Sequence, residues 1–141
     1  MSTVLGREVL RIRASRRGLH EITAEVRTAL KALAKPETRL LHLFLRHTSA
    51  GLTIQENADP SARHDLELFF ERLVPFHQQG FQHTHEGPDD MPSHIKTVLM
   101  QTSLVIPCQG PDLLLGTWQG IYLWEHRDSC PQRQLIVTTS P

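Results

Sequence analysis

Nine histidines are spread through the 141 residues, and imidazole is both the commonest metal ligand and the side chain that titrates near neutral pH. His47 opens the segment His47-Thr48-Ser49-Ala50 at the end of an apolar run, where a side chain can leave the core and face a cleft. Thr48 and Ser49 add hydroxyls, and a turn there would expose N–H groups of the kind that bind oxyanions. The plainer reading is a histidine satisfied at a strand end. His83-Thr84-His85 would, if extended, project both imidazoles to one side, which suits a divalent ion; in a coil the same tripeptide carries no such meaning. Asp89, Asp90 and His94 fall at a predicted helix start, which can serve a cation through side chains or an anion through backbone N–H groups. Capping by Asp90 would explain the acid and leave the histidine idle. On spacing alone, the His83/His85 pair leads.

Two further segments carry polar groups in unusual places. Capping in Glu56-Asn57-Ala58-Asp59 needs only Asp59, so Glu56 and Asn57 are left to explain. In Gly116-Thr117-Trp118-Gln119-Gly120 two glycines interrupt an apolar strand, a pattern that marks close approach of a ligand or another backbone. Alternation puts Gln119 and Glu125 on one face, with Trp118, Tyr122 and Trp124 on the other as core or subunit interface. Several chemistries find no support. Ser49 lacks a Gly-x-Ser-x-Gly elbow, and no Walker A or Gly-x-Gly-x-x-Gly sequence is present. Neither His-Glu-x-x-His nor the zinc-deaminase pattern occurs.

Short elements must position these groups. Val4 to Ala14 alternates as a strand closed by Arg16-Arg17-Gly18. Ile22, Val26, Ala29, Leu30 and Leu33 then recur at helical spacing, with Thr23 as N-cap and Pro36 as stop. Arg39 to Thr48 is apolar on both faces and therefore a central strand. Ser49-Ala50-Gly51 has hairpin-loop composition and leads into a short strand from Leu52 to Gln55. Asp59-Pro60 starts a second helix that runs to about Leu73, burying Leu66, Phe69, Phe70 and Leu73. A polar loop from His77 to Gly87 precedes a third helix, introduced by Pro88 to Pro92 and reaching about Gln101. Strands follow over Ser103 to Pro107, Leu113 to Glu125 and Arg133 to Thr139. Because the strands cluster towards the end, the predicted fold is α+β, one domain over 1–141 with an antiparallel-rich sheet and about three helices.

Composition narrows the partners. Fifteen basic side chains balance fifteen acidic ones, so the cationic footprint of a nucleic-acid binder is missing. No stretch has the length or apolarity of a signal h-region or a membrane span. Cys108 and Cys130 lack the spacing of a disulfide framework, which points to a reducing, cytoplasmic setting. A chain of this length can bury a core without a structural metal, so an ion would be functional first.

Taken together and in order, His47-Thr48-Ser49-Ala50, Glu56-Asn57-Ala58-Asp59-Pro60, His83 with Glu86-Gly87, Asp89-Asp90-Met91-Pro92-Ser93-His94-Ile95-Lys96 and Gly116-Thr117-Trp118-Gln119-Gly120-Ile121 followed by Glu125 resemble the YjbQ family over nearly the whole chain. The resemblance implies a compact α+β fold, a homotrimer with polar clefts near its subunit boundaries, and a low, secondary thiamine-phosphate synthase activity. In that transferase reaction a thiazole phosphate nitrogen displaces pyrophosphate from a hydroxymethylpyrimidine diphosphate. A divalent ion, zinc or magnesium, would neutralise the leaving group.

Carried over residue by residue, the resemblance makes His47, His83 and His94 the metal ligands and sets His85 aside. His47, Asp90 and Glu125 become the catalytic set, Asp90 standing where many members have Asn. Thr48, Ser49, Asn57, Gln119 and Arg133 would contact a small phosphorylated substrate or anion. Residues 128–132 depart from the Asp-Gly-Pro-Arg-like turn common in the family. Two other readings stand beside this one: a trimeric metabolite- or anion-binding protein without physiological catalysis, and a metal-assisted hydrolase.

Overall fold

The computed structural model describes residues 4–141. Eight strands and three helices follow in the order β1 (Gly6–Ile12), β2 (Gly18–Glu21), α1 (Thr23–Leu33), β3 (Leu40–Leu45), β4 (Ala50–Glu56), α2 (Pro60–Leu73), α3 (Asp90–Val98), β5 (Ser103–Gln109), β6 (Asp112–Leu113), β7 (Gln119–Glu125) and β8 (Arg133–Ser140). Every strand pairing is antiparallel. The expected single sheet is instead two: a five-stranded sheet in the order β1-β8-β3-β5-β6 and a three-stranded sheet in the order β2-β7-β4.

Alternation along the strands builds the layers. Leu41, Leu43 and Leu45 of β3, Leu135 and Val137 of β8, and Leu104 and Ile106 of β5 point inward from the larger sheet. They meet Leu52, Ile121 and Leu123 of the smaller sheet and Val26 and Leu30 of α1 in one apolar core. The opposite face of β7 carries Tyr122 and Trp124, which with Leu19 pack on Phe70, Val74 and Ile95 in a second core beneath α2 and α3. Strand β7 is thus buried on both faces. Tyr122 and Trp124 belong to this core, whereas Trp118 lies in the turn before the strand and is 64% exposed.

Several boundaries differ from expectation for physical reasons. Ala50 and Gly51 are not a hairpin loop: they begin β4, paired with Glu125 and Trp124, so the chain crosses from one sheet to the other between Leu45 and Ala50. The expected long strand from Leu113 breaks into β6 and β7, with the Gly116 N–H donating to the Gln119 side-chain oxygen at 2.8 Å to close the turn. Strand β2 has no counterpart among the expected elements, because four residues after an Arg-Arg-Gly turn give too little alternation to read. Helix α1 has no side-chain N-cap; Thr23 instead accepts the Ile121 N–H at 2.9 Å and donates to Glu21 at 2.8 Å. Helix α2 is capped as its sequence predicts, Asp59 accepting the Ser61 N–H at 2.9 Å with Pro60 in the first position. Of its four apolar residues expected inside, only Phe70 is buried, and Phe69 and Leu73 are 64% and 54% exposed.

Candidate functional site

Helix α3 begins at Asp90, so Asp90 and His94 stand one turn apart on the same side. The 77–88 segment brings His83 to the same place: its Nε2 lies 2.6 Å from Asp90 Oδ2, and His94 Nε2 lies 3.2 Å from that oxygen. One ligand atom from each of these three residues falls within 4.8 Å of the other two. The two imidazole centroids are 5.4 Å apart.

The ring orientations are set by neighbours. His94 Nδ1 is 2.9 Å from the Thr48 carbonyl oxygen. A carbonyl only accepts, so Nδ1 carries a proton and donates it. In the neutral ring, Nε2 then presents its lone pair to Asp90. On its other side Asp90 is held by Arg127, whose Nη1 donates to Oδ1. Arg127 also donates from Nε to Asp89 Oδ2 at 3.1 Å and from Nη2 to the Glu86 carbonyl at 2.8 Å. Burial pushes the Asp90 carboxyl up, but the His83 bond and the Arg127 and His94 charges outweigh it and hold the group below the usual carboxylate range.

The expected set is therefore redrawn. His47 does not join His83 and His94. Its Nε2 accepts the Gln134 N–H at 2.8 Å, which extends the β3–β8 pairing past Leu45. Burial and the neighbouring Arg133 push its pKa down, so the ring stays neutral in this acceptor role. What reaches the cluster from this segment is the Thr48 carbonyl. Glu125 is wholly buried and forms a bidentate pair with Arg133, whose Nε donates to Oε1 at 2.8 Å and whose Nη2 donates to Oε2. Arg133 Nη2 also donates to the Ser49 carbonyl at 3.0 Å, leaving Arg133 only 2% exposed. This pair closes the junction between the sheets and is not open to a substrate.

Asn57 and Gln119 lie at the other end of the smaller sheet, where Glu56 pairs with Gln119, while Ala50 pairs with Glu125. Six steps of strand at about 3.3 Å each separate the two ends by roughly 20 Å. Asn57 donates to Glu21 at 3.0 Å, and Gln119 is used in its own turn. Gly120 explains itself here: a Cβ at this position would come within 2.6 Å of Glu21 Oε2 and 3.0 Å of Asn57 Cβ. What approaches the glycine is this chain, not a ligand. His85 is exposed and takes no part in the cluster.

Arg127 has no local signal in the sequence except alternation, since Leu123, Glu125 and Arg127 fall on one side of an extended run. Two other features escape the sequence entirely. A cavity of about 360 Å³ opens beside His83 between the 77–88 segment and α3. His126 is 1% exposed, with neither ring nitrogen hydrogen-bonded, against the rings of both Phe70 and Trp124. Both cysteines are free and buried, and burial pushes their thiols up, which makes neither an active nucleophile. No helix among the described residues is long and apolar enough to cross a membrane.

The family model described as "UPF0047 protein YjbQ-like" matches residues 8–141. A YjbQ protein of Escherichia coli O157:H7 is 47% identical over 131 residues, covering 93% of this chain and 94% of its own. The protein sll1880 of Synechocystis is 44% identical over 133 residues, 94% of this chain and 90% of its own. Among solved structures, the conserved hypothetical protein TT1486 of Thermus thermophilus superposes with a TM-score of 0.80 at 32% identity, covering 92% of this chain and 97% of that one. An uncharacterised YjbQ/UPF0047 family protein of Clostridium acetobutylicum gives 0.81 at 32% identity, covering 94% and 98%.

Proposed function

The chain belongs to the YjbQ (UPF0047) family, a family of uncharacterised function, and from that premise we propose that it holds a divalent cation at His83, Asp90 and His94 and works with it on a small phosphorylated substrate. One observation carries the reading: Asp90 Oδ2 lies against Nε2 of both imidazoles while His94 Nδ1 is already committed to the Thr48 carbonyl. An imidazole lone pair facing a carboxylate is repulsive unless a proton or a cation sits between them. A carboxylate and two imidazoles with outer partners on a carbonyl and a guanidinium are a ligand set suited to zinc, less so to magnesium, which prefers oxygen alone. Three protein ligands leave a coordination position for substrate.

The reaction proposed is a low, secondary thiamine-phosphate synthase activity. When bound, the ion would neutralise the departing diphosphate. Asp90 and the two imidazoles hold it, Arg127 and the Thr48 carbonyl fix their orientation, and the site sits at the chain surface where substrate can enter. A second reading, a metabolite-binding protein without turnover, is favoured by the commitment of His47 and Glu125 to partners within the chain, which removes two of the three anticipated catalytic residues.

Elemental analysis of the purified protein with steady-state synthase assay separates these readings. Stoichiometric zinc is expected in the wild type and in His47→Ala, with loss of metal and of activity in His83→Ala and His94→Ala. Metal content unchanged by both of the latter would sink the ligand set. Metal retained with no turnover in the wild type would select the binding reading.

A further inference from the structure

The cavity beside His83 has a volume of about 360 Å³, within the ~300–1,000 Å³ range of small-molecule sites. Its walls are mainly Phe81, Pro88, Met91 and Pro92, with Gln78 and His83 among the residues that supply polar atoms. The Gln78 amide nitrogen donates to the Pro75 carbonyl at 3.0 Å, so its oxygen is the free end. No Lys, Arg, Asp or Glu lines the cavity. Arg127, the guanidinium of the adjoining cluster, does not line the cavity, and it spends one bond from each of its three nitrogens on Asp89, Asp90 and the Glu86 carbonyl. A phosphate moved into this space would give up its hydration and meet the imidazoles of His77 and His83 and the hydroxyl of Thr84, but no permanent cation, in exchange. An uncharged ring would gain about 25 cal/mol for each Å² of apolar surface removed from water, with a thioether and a phenyl ring as packing partners. His83, one of the polar residues lining the cavity, joins it to the cluster, its Nε2 lying 2.6 Å from Asp90 Oδ2.

We infer that this cavity receives the uncharged, ring-sized body of the substrate, while a metal-seeking head group on the same molecule reaches the cation at His83, Asp90 and His94; the inference rests on the metal reading above. Charged parts of the substrate are thereby excluded from the apolar side and confined to the ion side. The specificity of the site for the organic part of its substrate resides in Phe81 and Met91.

Two hydroxamates test it, because they share one metal-seeking head and differ by a phenyl ring. Zinc-loaded full-length protein is titrated calorimetrically with benzohydroxamate and with acetohydroxamate. Benzohydroxamate is expected to bind about tenfold or more tightly. In Phe81→Ala and Met91→Ala, each checked for native circular dichroism and for bound zinc, the ratio falls towards unity. Equal affinities in the wild type with zinc retained overturn the cavity assignment and leave the metal reading standing. A ring preference that both variants retain places the ring elsewhere and overturns it equally. A protein that holds no zinc, and for that reason binds neither compound, overturns the metal reading and the inference with it.

Discussion

His126 illustrates how one side chain can set an acid limit. Its imidazole is buried without hydrogen-bond partners, and burial, reinforced by the Lys96, Arg133 and Arg17 charges, pushes its pKa from 6.5 down to about 3. Between those two values the unfolded chain binds a proton that the folded chain refuses, so stability falls as pH falls through that window. His126→Phe keeps a ring packed against Phe70 and Trp124 and removes two unsatisfied nitrogens. It is expected to raise stability near neutral pH by about 1–3 kcal/mol and to flatten the acid side of the melting-temperature profile. An unchanged profile would show that the ring finds partners in solution. Arg127 reaches the proposed cation site through Asp90. Arg127→Ala should weaken zinc binding by about 10–100-fold, measured by competition with a chelator, with partial recovery in Arg127→Lys. Wild-type affinity in Arg127→Ala would remove it as a positioning residue.

At this scale the sequence is informative where a member of the cluster sits on a recognisable element. Asp90 and His94 are one turn apart on a helix whose start is marked by proline and acids, and they do meet. His47 misleads because a strand end fixes where a residue lies and not where its side chain turns, and here it turns to Gln134. Arg127 is not readable, since its partners Glu86, Asp89 and Asp90 lie about 40 positions away along the chain.

Among elements, the smaller sheet holds the structure's two halves in register. Strand β7 packs Ile121 and Leu123 into one core and Tyr122 and Trp124 into the other, so a one-residue slip would exchange its two faces. At the far end, Glu21 and Asn57 bond across Gly120. Gly120→Ala is expected to lower stability by about 1–3 kcal/mol through overpacking against this bridge, read as a drop in the thermal midpoint. A neutral result would mean that Glu21 and Asn57 separate without penalty. On the opposite face, Lys96 of α3 is 1% exposed and donates to Glu71 of α2 at 2.7 Å, and Glu71 also pairs with Arg17 at 2.7 Å. Two helices and the β1–β2 turn are tied through one carboxylate. Helix starts at Thr23 and Asp59 are legible from periodicity and proline. The division into two sheets is not, because alternation shows which face of a strand is buried and says nothing of which strand lies beside it.

For the whole molecule, the consequence of this layering is that one sheet is left uncovered. The outer face of the five-stranded sheet carries exposed Leu40, Phe44 and Val105 among Arg7, Arg11 and Arg46. A second exposed apolar ridge, Phe69 and Leu73 on α2 with Leu99 beyond α3, lies on the other side of the smaller sheet. A cyclic trimer needs a heterologous contact between two unlike patches, and the chain presents two. The homotrimer that the family resemblance implies would be read by light scattering, with dissociation to monomers expected in Phe44→Lys or Leu73→Lys if these two patches form its contact. A wild-type monomer would refute the assembly, and trimers in both variants would refute these contacts. The α+β class and the three helices are readable from the order of periodic segments, as is membership of the family. Which apolar patches stay exposed is not, because an exposed leucine looks the same in sequence as a buried one.

The Thr48 carbonyl that orients His94 belongs to the main chain, and this changes how the site can be lost. Replacing the side chain at position 48 leaves that oxygen where it is, so the tautomer of His94 is sheltered from point substitution there. Adding or deleting a residue in the four-residue crossing from 46 to 49, between β3 and β4, would move the oxygen away from the ring. At position 48, then, it is the length of this segment and not the side chain that guards the imidazole.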